Sequence, residues 1–171
     1  LEKRMAEGGP KAEIARSLQG QIAIASAKLA HQIYKEIFAS DRFRKLTERG
    51  ANPQRLLWAS TSTKNPAYTD VKYVEPLIGE QTVNTMTLET IHAYRDHGQP
   101  GPRLEEGVEE ARKVFQRLSE LEINIDQVAQ QLEDEGVQKF ILPFNSLMAT
   151  LEAKRAAALA ESLDRQIVSL G

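Results

Sequence analysis

The densest chemistry in this sequence lies at residues 57–66, Leu-Trp-Ala-Ser-Thr-Ser-Thr-Lys-Asn-Pro. Ser60, Thr61, Ser62 and Thr63 stand side by side, with Lys64 directly after them. In parallel α/β proteins, ligands bind outside the carboxyl ends of strands, on the loops that follow. A run of hydroxyls, free backbone N–H groups and one cation at such a place suits a phosphorylated small molecule, because phosphate needs several donors and a positive charge. The same run also reads as a polar loop whose Ser and Thr side chains satisfy their own turn. Residue types alone leave both readings open.

The other reactive residue types offer less. His31 falls within an amphipathic helix pattern, and His92 and His97 are five apart, whereas a helical metal pair wants a spacing of about three or four. All three read as surface or rim residues. With no cysteine in the chain, disulfides, thiolate nucleophiles and cysteine metal sites are excluded. Glu105, Glu106, Glu109 and Glu110 suit the solvated start of a helix, where the macrodipole favours negative charge. No Ser/His/Asp order, glycine-rich phosphate loop or His-Glu-x-x-His motif is present, and neither a metal nor a cofactor is expected.

The elements that must position residues 57–66 can be read from patterning. Ile14, Leu18, Ile22, Ala25, Leu29, Ile33 and Ile37 form one stripe of a 3.6-residue period, predicting helix, with Gly20 as a weak point. After the turn at Gly50-Ala-Asn-Pro53, the apolar run Arg55–Ser60 predicts a strand covered on both faces. A helix is expected from Thr69 or Asp70 through Val71, Val74, Leu77 and Ile78, stopped by Gly79. Thr82–Met86 predicts a second strand, and Leu88–His97 a helix closed by Gly98. Beyond Gln99-Pro-Gly-Pro102 the pattern is helical: residues 104–121, a segment capped by Asp126, and a last one from about Phe144, with Pro143 breaking the chain between them. The expected organisation is a single unit over 1–171: helical over 1–50, strand-helix-strand-helix over 54–98, and a helical extension over 103–171. Fold class is α/β, predominantly helical. Two strands cannot close a sheet, and 171 residues fall short of the roughly 250 of an eight-stranded barrel. The chain is either a mainly helical domain with a small sheet or part of something larger.

Composition sets the outer bounds. Lys plus Arg number 22 and Asp plus Glu 24, a formal charge of −2. That balance argues against nucleic acid and anionic membranes as partners. The longest apolar runs fall short of a bilayer span, and Leu1–Met5 carries no apolar signal core. A cytoplasmic location is expected.

At Gln54–Tyr68 (QRLLWASTSTKNPAY) the sequence resembles the transaldolases, specifically the longer bacterial type. The resemblance continues through Asp70–Gly79 (DVKYVEPLIG) and Val83–Met86, and resumes in Phe140–Arg155, with its Leu-Glu-Ala-Lys-Arg ending; Leu1–Arg4 and Gly20–Lys28 fit as well. It implies a partial (β/α)8 barrel and an enzyme of the pentose phosphate pathway. Such enzymes transfer a dihydroxyacetone unit between sugar phosphates: fructose 6-phosphate, sedoheptulose 7-phosphate, erythrose 4-phosphate and glyceraldehyde 3-phosphate. A lysine on the fourth strand forms a Schiff base with the donor ketone, and a carboxylate relays protons. Arg55–Ser60 would be the seventh strand and Val83–Met86 the eighth. Ser60 matches the family's seventh-strand serine that meets phosphate and Lys64 its basic partner, with Thr61 and Ser62 as further phosphate candidates.

The departures from the family pattern bear on activity. The Schiff-base strand has no counterpart here, so no catalytic residue is assigned within the chain. A strand of Phe-Val-Ser-Arg character, usual after the helix ending near Ile14, is also absent; Arg16-Ser17 runs straight into Leu18-Gln-Gly20. The chain is therefore expected to be a C-terminal portion of such an enzyme, inactive by itself. The alternative is a noncatalytic helical interaction or scaffold module derived from a barrel. Self-association into a homo-oligomer is left open.

Overall fold

The computed structural model describes residues 1–168, with side chains through residue 160; residues 169–171 of the expected helical extension lie outside it. In order, it contains helices α1 (Glu2–Glu7), α2 (Gly9–Leu18), α3 (Ile22–Ala39) and α4 (Asp41–Thr47), then strand β1 (Leu56–Ala59). A 3-10 helix (Glu75–Leu77), strand β2 (Thr82–Thr85) and helices α5 (Leu88–His97), α6 (Val108–Glu120) and α7 (Ile125–Val168) follow. Among the described residues the architecture is mostly helical, with one two-stranded sheet. Contacts divide the chain into two compact units, residues 1–122 and 123–171.

In the first unit, α3 packs on α6, and α2 joins them. Buried alanines at the contact, Ala25 on α3 and Ala111 on α6, let the two backbones approach closely. Leu18, Leu104, Leu118 and Leu121 are the largest fully buried side chains. The Lys28 ammonium donates to the Arg103 and Glu106 carbonyls at 3.0 and 2.5 Å, pinning the turn before α6 to α3. That turn delays the helix: residues 104–107 are turn, Gly107 takes a left-handed φ of 62°, and α6 begins at Val108 rather than 104.

The single N-terminal stripe is interrupted. Gly20, at φ 73°, separates α2 from α3, and no strand lies between them. A β-carbon on Gly20 would come within 2.9 Å of the Tyr68 ring, so the joint needs glycine both for conformation and for space. Leu18 and Ala25 of the stripe are buried, whereas Ile33 and Ile37 are each 55% exposed. His31 is the inward residue instead, 4% exposed, which corrects its reading as a surface or rim residue. The cause lies within α3: repeated steps of four overshoot a 3.6-residue turn by about 40° each, so the stripe rotates away from the face that Ala25 buries.

β1 and β2 pair in parallel, Leu56 with Thr82 through Ala59 with Thr85. Alternation puts Leu56 and Trp58 on one face with Thr82 and Asn84. The Trp58 indole N–H donates to the Leu77 carbonyl at 3.1 Å, fastening that face to the 3-10 helix. Leu57, on the other face, is 54% exposed. The expectation of a strand covered on both faces is thus corrected: one face is covered and the other is open.

The helix expected over 70–78 is turn followed by the 3-10 helix. Pro76 is the cause, since it lacks an N–H and its ring clashes with the carbonyl four residues earlier in an α-helix. Val71, Val74 and Leu77 are nevertheless buried. Their spacing marked a buried face correctly and the wrong backbone. Residues 103–104 close over this segment: the Arg103 and Leu104 amides both donate to the Ile78 carbonyl, at 2.9 and 3.0 Å.

In the second unit, α7 runs unbroken through Pro143. Residues 137–160 are exposed, so the Lys139 carbonyl that Pro143 deprives of a partner can bond water, and the helix continues past the expected break. Its cap is Asn124, whose side-chain oxygen accepts from the Asp126 and Gln127 amides at 3.0 and 3.2 Å; Asp126 is the second residue of the helix, not its cap. Among the described residues no helix is long and apolar enough to cross a membrane.

Candidate functional site

The carboxyl end of β1 gives way to an irregular segment, residues 60–74, before the 3-10 helix begins. Ser60 opens it in a left-handed conformation, φ 58°. For a residue with a β-carbon that conformation costs about 1–2 kcal/mol, and it turns the chain sharply out of the strand. Ser60 and Lys64 are both exposed, and neither side chain has a hydrogen bond or ion pair among the described residues. Both are available to a ligand.

Thr61 and Ser62 are engaged internally. Thr61, 4% exposed, donates its hydroxyl to the Asn84 side-chain oxygen at 2.8 Å. This bond ties the end of β1 to β2. The Ser62 hydroxyl accepts from Thr90 at 2.8 Å and lies 3.2 Å from the Thr87 hydroxyl. Thr87 in turn caps α5, accepting from the Thr90 amide at 3.4 Å. The segment is therefore buttressed by β2 and by the first turn of α5, with Ser60 and Lys64 left outward. A hollow of about 280 Å³ lies beside it, lined by Ser62, Thr63, Asp70, Thr87, Glu89 and Thr90 among others.

Farther along, the Thr63 hydroxyl donates to the Asp70 carbonyl at 3.4 Å. The Asp70 carboxylate lies 2.8 Å from His97 Nε2. That hydrogen bond draws Asp70 below the usual carboxylate range, and His97, bonded to Asp70 and to Asp96, is raised. Among the described residues no group of three or more metal-ligating side chains is assembled.

Residue types alone missed Asn84, Thr87, Thr90 and the Asp70–His97 pair. The cap could have been found, because Thr87 precedes a clean ten-residue helix pattern. Asn84 required the register that sets it beside Trp58.

A family model described as transaldolase/fructose-6-phosphate aldolase matches residues 3–151. The chain belongs to the transaldolase/fructose-6-phosphate aldolase family. A transaldolase from Trichodesmium erythraeum (strain IMS101) is 49% identical over 154 residues, which is 89% of this chain and 40% of that protein. A transaldolase from Thiobacillus denitrificans is 49% identical over 135 residues, 79% of this chain and 38% of its own length. Transaldolase 2 from Nostoc sp. (strain PCC 7120) is 50% identical over 139 residues, 80% and 36% respectively. This transaldolase-family chain thus spans about 40% of the length of the curated relatives it matches. The β1 end with its hydroxyl run falls inside the family match, as do β2 and α5.

Proposed function

We propose that the lip of β1 grips the phosphate end of a sugar phosphate in a transaldolase reaction, with Ser60 donating a hydroxyl and Lys64 supplying the cation. The observation that carries this reading is the division of labour along residues 60–64. Thr61 and Ser62 are consumed by Asn84, Thr87 and Thr90, whereas Ser60 and Lys64 stand exposed and unpartnered beyond a parallel strand. Family membership supports the same reading. In it, β1 and β2 are the seventh and eighth staves of a barrel, whose further strands would pair at the sheet edges and whose closure would cover the open Leu57 face. Thr61 and Ser62 act by shaping the lip.

Holding the phosphate fixes one end of the sugar, so that its ketone is presented at a set distance to the reacting lysine. That lysine condenses with the ketone, releasing water, and the imine takes up electrons as the neighbouring carbon–carbon bond breaks. β1 and β2 contain no lysine, so the imine lysine belongs to another strand of the barrel. The chain by itself is then a binding half without the electron sink. Fructose 6-phosphate, sedoheptulose 7-phosphate, erythrose 4-phosphate and glyceraldehyde 3-phosphate are the substrates this assigns.

Calorimetric titration of the chain with fructose 6-phosphate and with inorganic phosphate tests the grip. Lys64→Gln is expected to weaken binding about tenfold, close to 1.4 kcal/mol, and Ser60→Ala less. Equal affinity in all three proteins would refute the assignment. Borohydride trapping with fructose 6-phosphate should label no lysine of this chain, and a covalent adduct would overturn the placement of the imine lysine elsewhere.

One observation favours a second reading, a noncatalytic helical module. Residues 1–122 bury Leu18, Leu104, Leu118 and Leu121 in a core of their own without a closed barrel. A protease-resistant monomer on size exclusion that binds no phosphate would favour it.

A further inference from the structure

The segment that follows β1 is fastened along α5 at both ends of that helix. At its start, the Ser62 hydroxyl meets Thr87 and Thr90. At its finish, His97 Nε2 meets the Asp70 carboxylate at 2.8 Å, and the Gln99 amide donates to Glu75 Oε1 at 2.7 Å. Lys64 lies between these anchors. Asp70 is the joint: its side chain holds α5, and its carbonyl accepts the hydroxyl of Thr63, the residue next to Lys64. That contact, 3.4 Å long, is the link between Asp70 and the lip.

We propose that His97 and Asp70 form a clasp that positions the Ser60–Lys64 lip. Its purpose rests on the phosphate reading above, but its test does not. His97 occupies the last turn of α5, where the macrodipole favours a cation. Asp70 faces it from the loop and Asp96 from its own helix, the latter with Oδ2 3.2 Å from Nδ1. Glu75 of the 3-10 helix and Tyr68 of the loop share with it a hollow of about 470 Å³. Lys72 is directed elsewhere, over the Tyr68 ring at 4.4 Å. Arg103 reaches the Gln99 carbonyl at 2.5 Å, but among the described residues the ion-pair partner of Asp70 and of Asp96 is His97, and neither is paired with a lysine or arginine.

The hydrogen bonds to Asp70 and then Asp96 raise His97 above its ordinary 6.5. A base raised by folding contributes fully below its unfolded value and loses that contribution as pH climbs through the folded one. Asp70, drawn below 3.8, stays ionised throughout. The clasp is therefore tightest in mildly acidic solution and relaxes, without opening entirely, once His97 is neutral and only its N–H can donate.

Hydrogen exchange of the internally bonded amides of Tyr68, Lys72, Val74 and Glu75 reads the clasp directly. With intrinsic rates divided out, protection at pH 6 should exceed that at pH 8 by about two- to fivefold, the range of an exposed ion pair. His97→Ala should lose protection at both pH values and show no difference between them. His97→Gln, which keeps a donor but no charge, should be intermediate and flat. Equal protection at the two pH values in the unmodified chain, or exchange in His97→Ala like that of the unmodified chain, overturns the clasp. Parallel titration with inorganic phosphate separates the two ideas. Pronounced pH-dependent protection without phosphate binding upholds the clasp and removes the phosphate reading. Equal phosphate affinity in the unmodified chain and His97→Ala at both pH values, with exchange unchanged, does the reverse.

Discussion

Gly79 is where a single methyl group should report most sharply on the packing behind the lip. A β-carbon built there would lie 2.7 Å from both Cβ and Cδ2 of Leu104, against the roughly 3.5–4.0 Å of a good carbon–carbon contact. Leu104 must retreat by about 1 Å, and it has nowhere to go. It is 1% exposed, and its own amide and that of Arg103 are bonded to the Ile78 carbonyl. Overpacking of this kind costs about 1–3 kcal/mol. Gly79 is outside the left-handed region, so alanine also removes unfolded-chain freedom and returns about 0.4–1 kcal/mol. Gly79→Ala should therefore destabilise the first unit by up to about 2.6 kcal/mol, and by about 1.3 kcal/mol at the middle of these ranges. Urea unfolding followed by the fluorescence of Trp58, whose indole is bonded to Leu77 two residues away, measures this without interference from α7. Leu104→Ala alone should cost about 2–5 kcal/mol. Because it removes part of what the new methyl strikes, the double variant should cost less than the sum by about 0.5 kcal/mol or more. A Gly79→Ala chain as stable as the original, or strict additivity, would show that the Leu104 wedge does not hold this segment.

Two further outcomes can be checked with the same fluorescence assay. Thr61→Val keeps shape but leaves the Asn84 oxygen without its donor, and should lower stability by about 1 kcal/mol, whereas Thr61→Ser should stay close to the original; equal losses would mean that the hydroxyl is immaterial. His31 is buried with Nδ1 unpartnered, and its burial pushes its pKa below the ordinary 6.5, against the pull of Glu105. Here the neutral form is the native one, so stability should fall as pH drops below 6.5 toward the lower folded value. His97 acts with the opposite sign above 6.5, placing a stability maximum between the two windows. His31→Gln should flatten only the acidic side, and an unchanged slope there would assign the loss to other groups.

Much of this architecture was legible because local signals agreed with tertiary ones. α5 runs from Leu88 to His97 between Thr87 and Gly98, as its pattern predicts, and both strands fall where the β-branched and apolar runs placed them. The misreadings have separate causes, and around Pro76 periodicity marked which residues are buried but not which backbone buries them. Val71, Val74 and Leu77 have helical spacing, yet Pro76 denies them a helix. Pro143 is equally forbidding in principle, but on an exposed helix water can replace the lost partner. At the lip, the hydroxyl run and Lys64 were visible in the sequence. Which hydroxyls were already spoken for was not, since that depends on strand register and on how α5 lies against the loop.

On the proposed phosphate reading, Ser60 faces two demands that pull apart. Its left-handed φ of 58° would be met at least cost by glycine, which has no hydroxyl to offer. Threonine would supply the hydroxyl, but its branched β-carbon resists that backbone. Substitution can relieve the chain or serve the guest, and few side chains other than serine do both. A hinge point this narrow in its tolerances admits little drift, so variation around the lip should collect in the flanking hydroxyls, whose partners can shift with them.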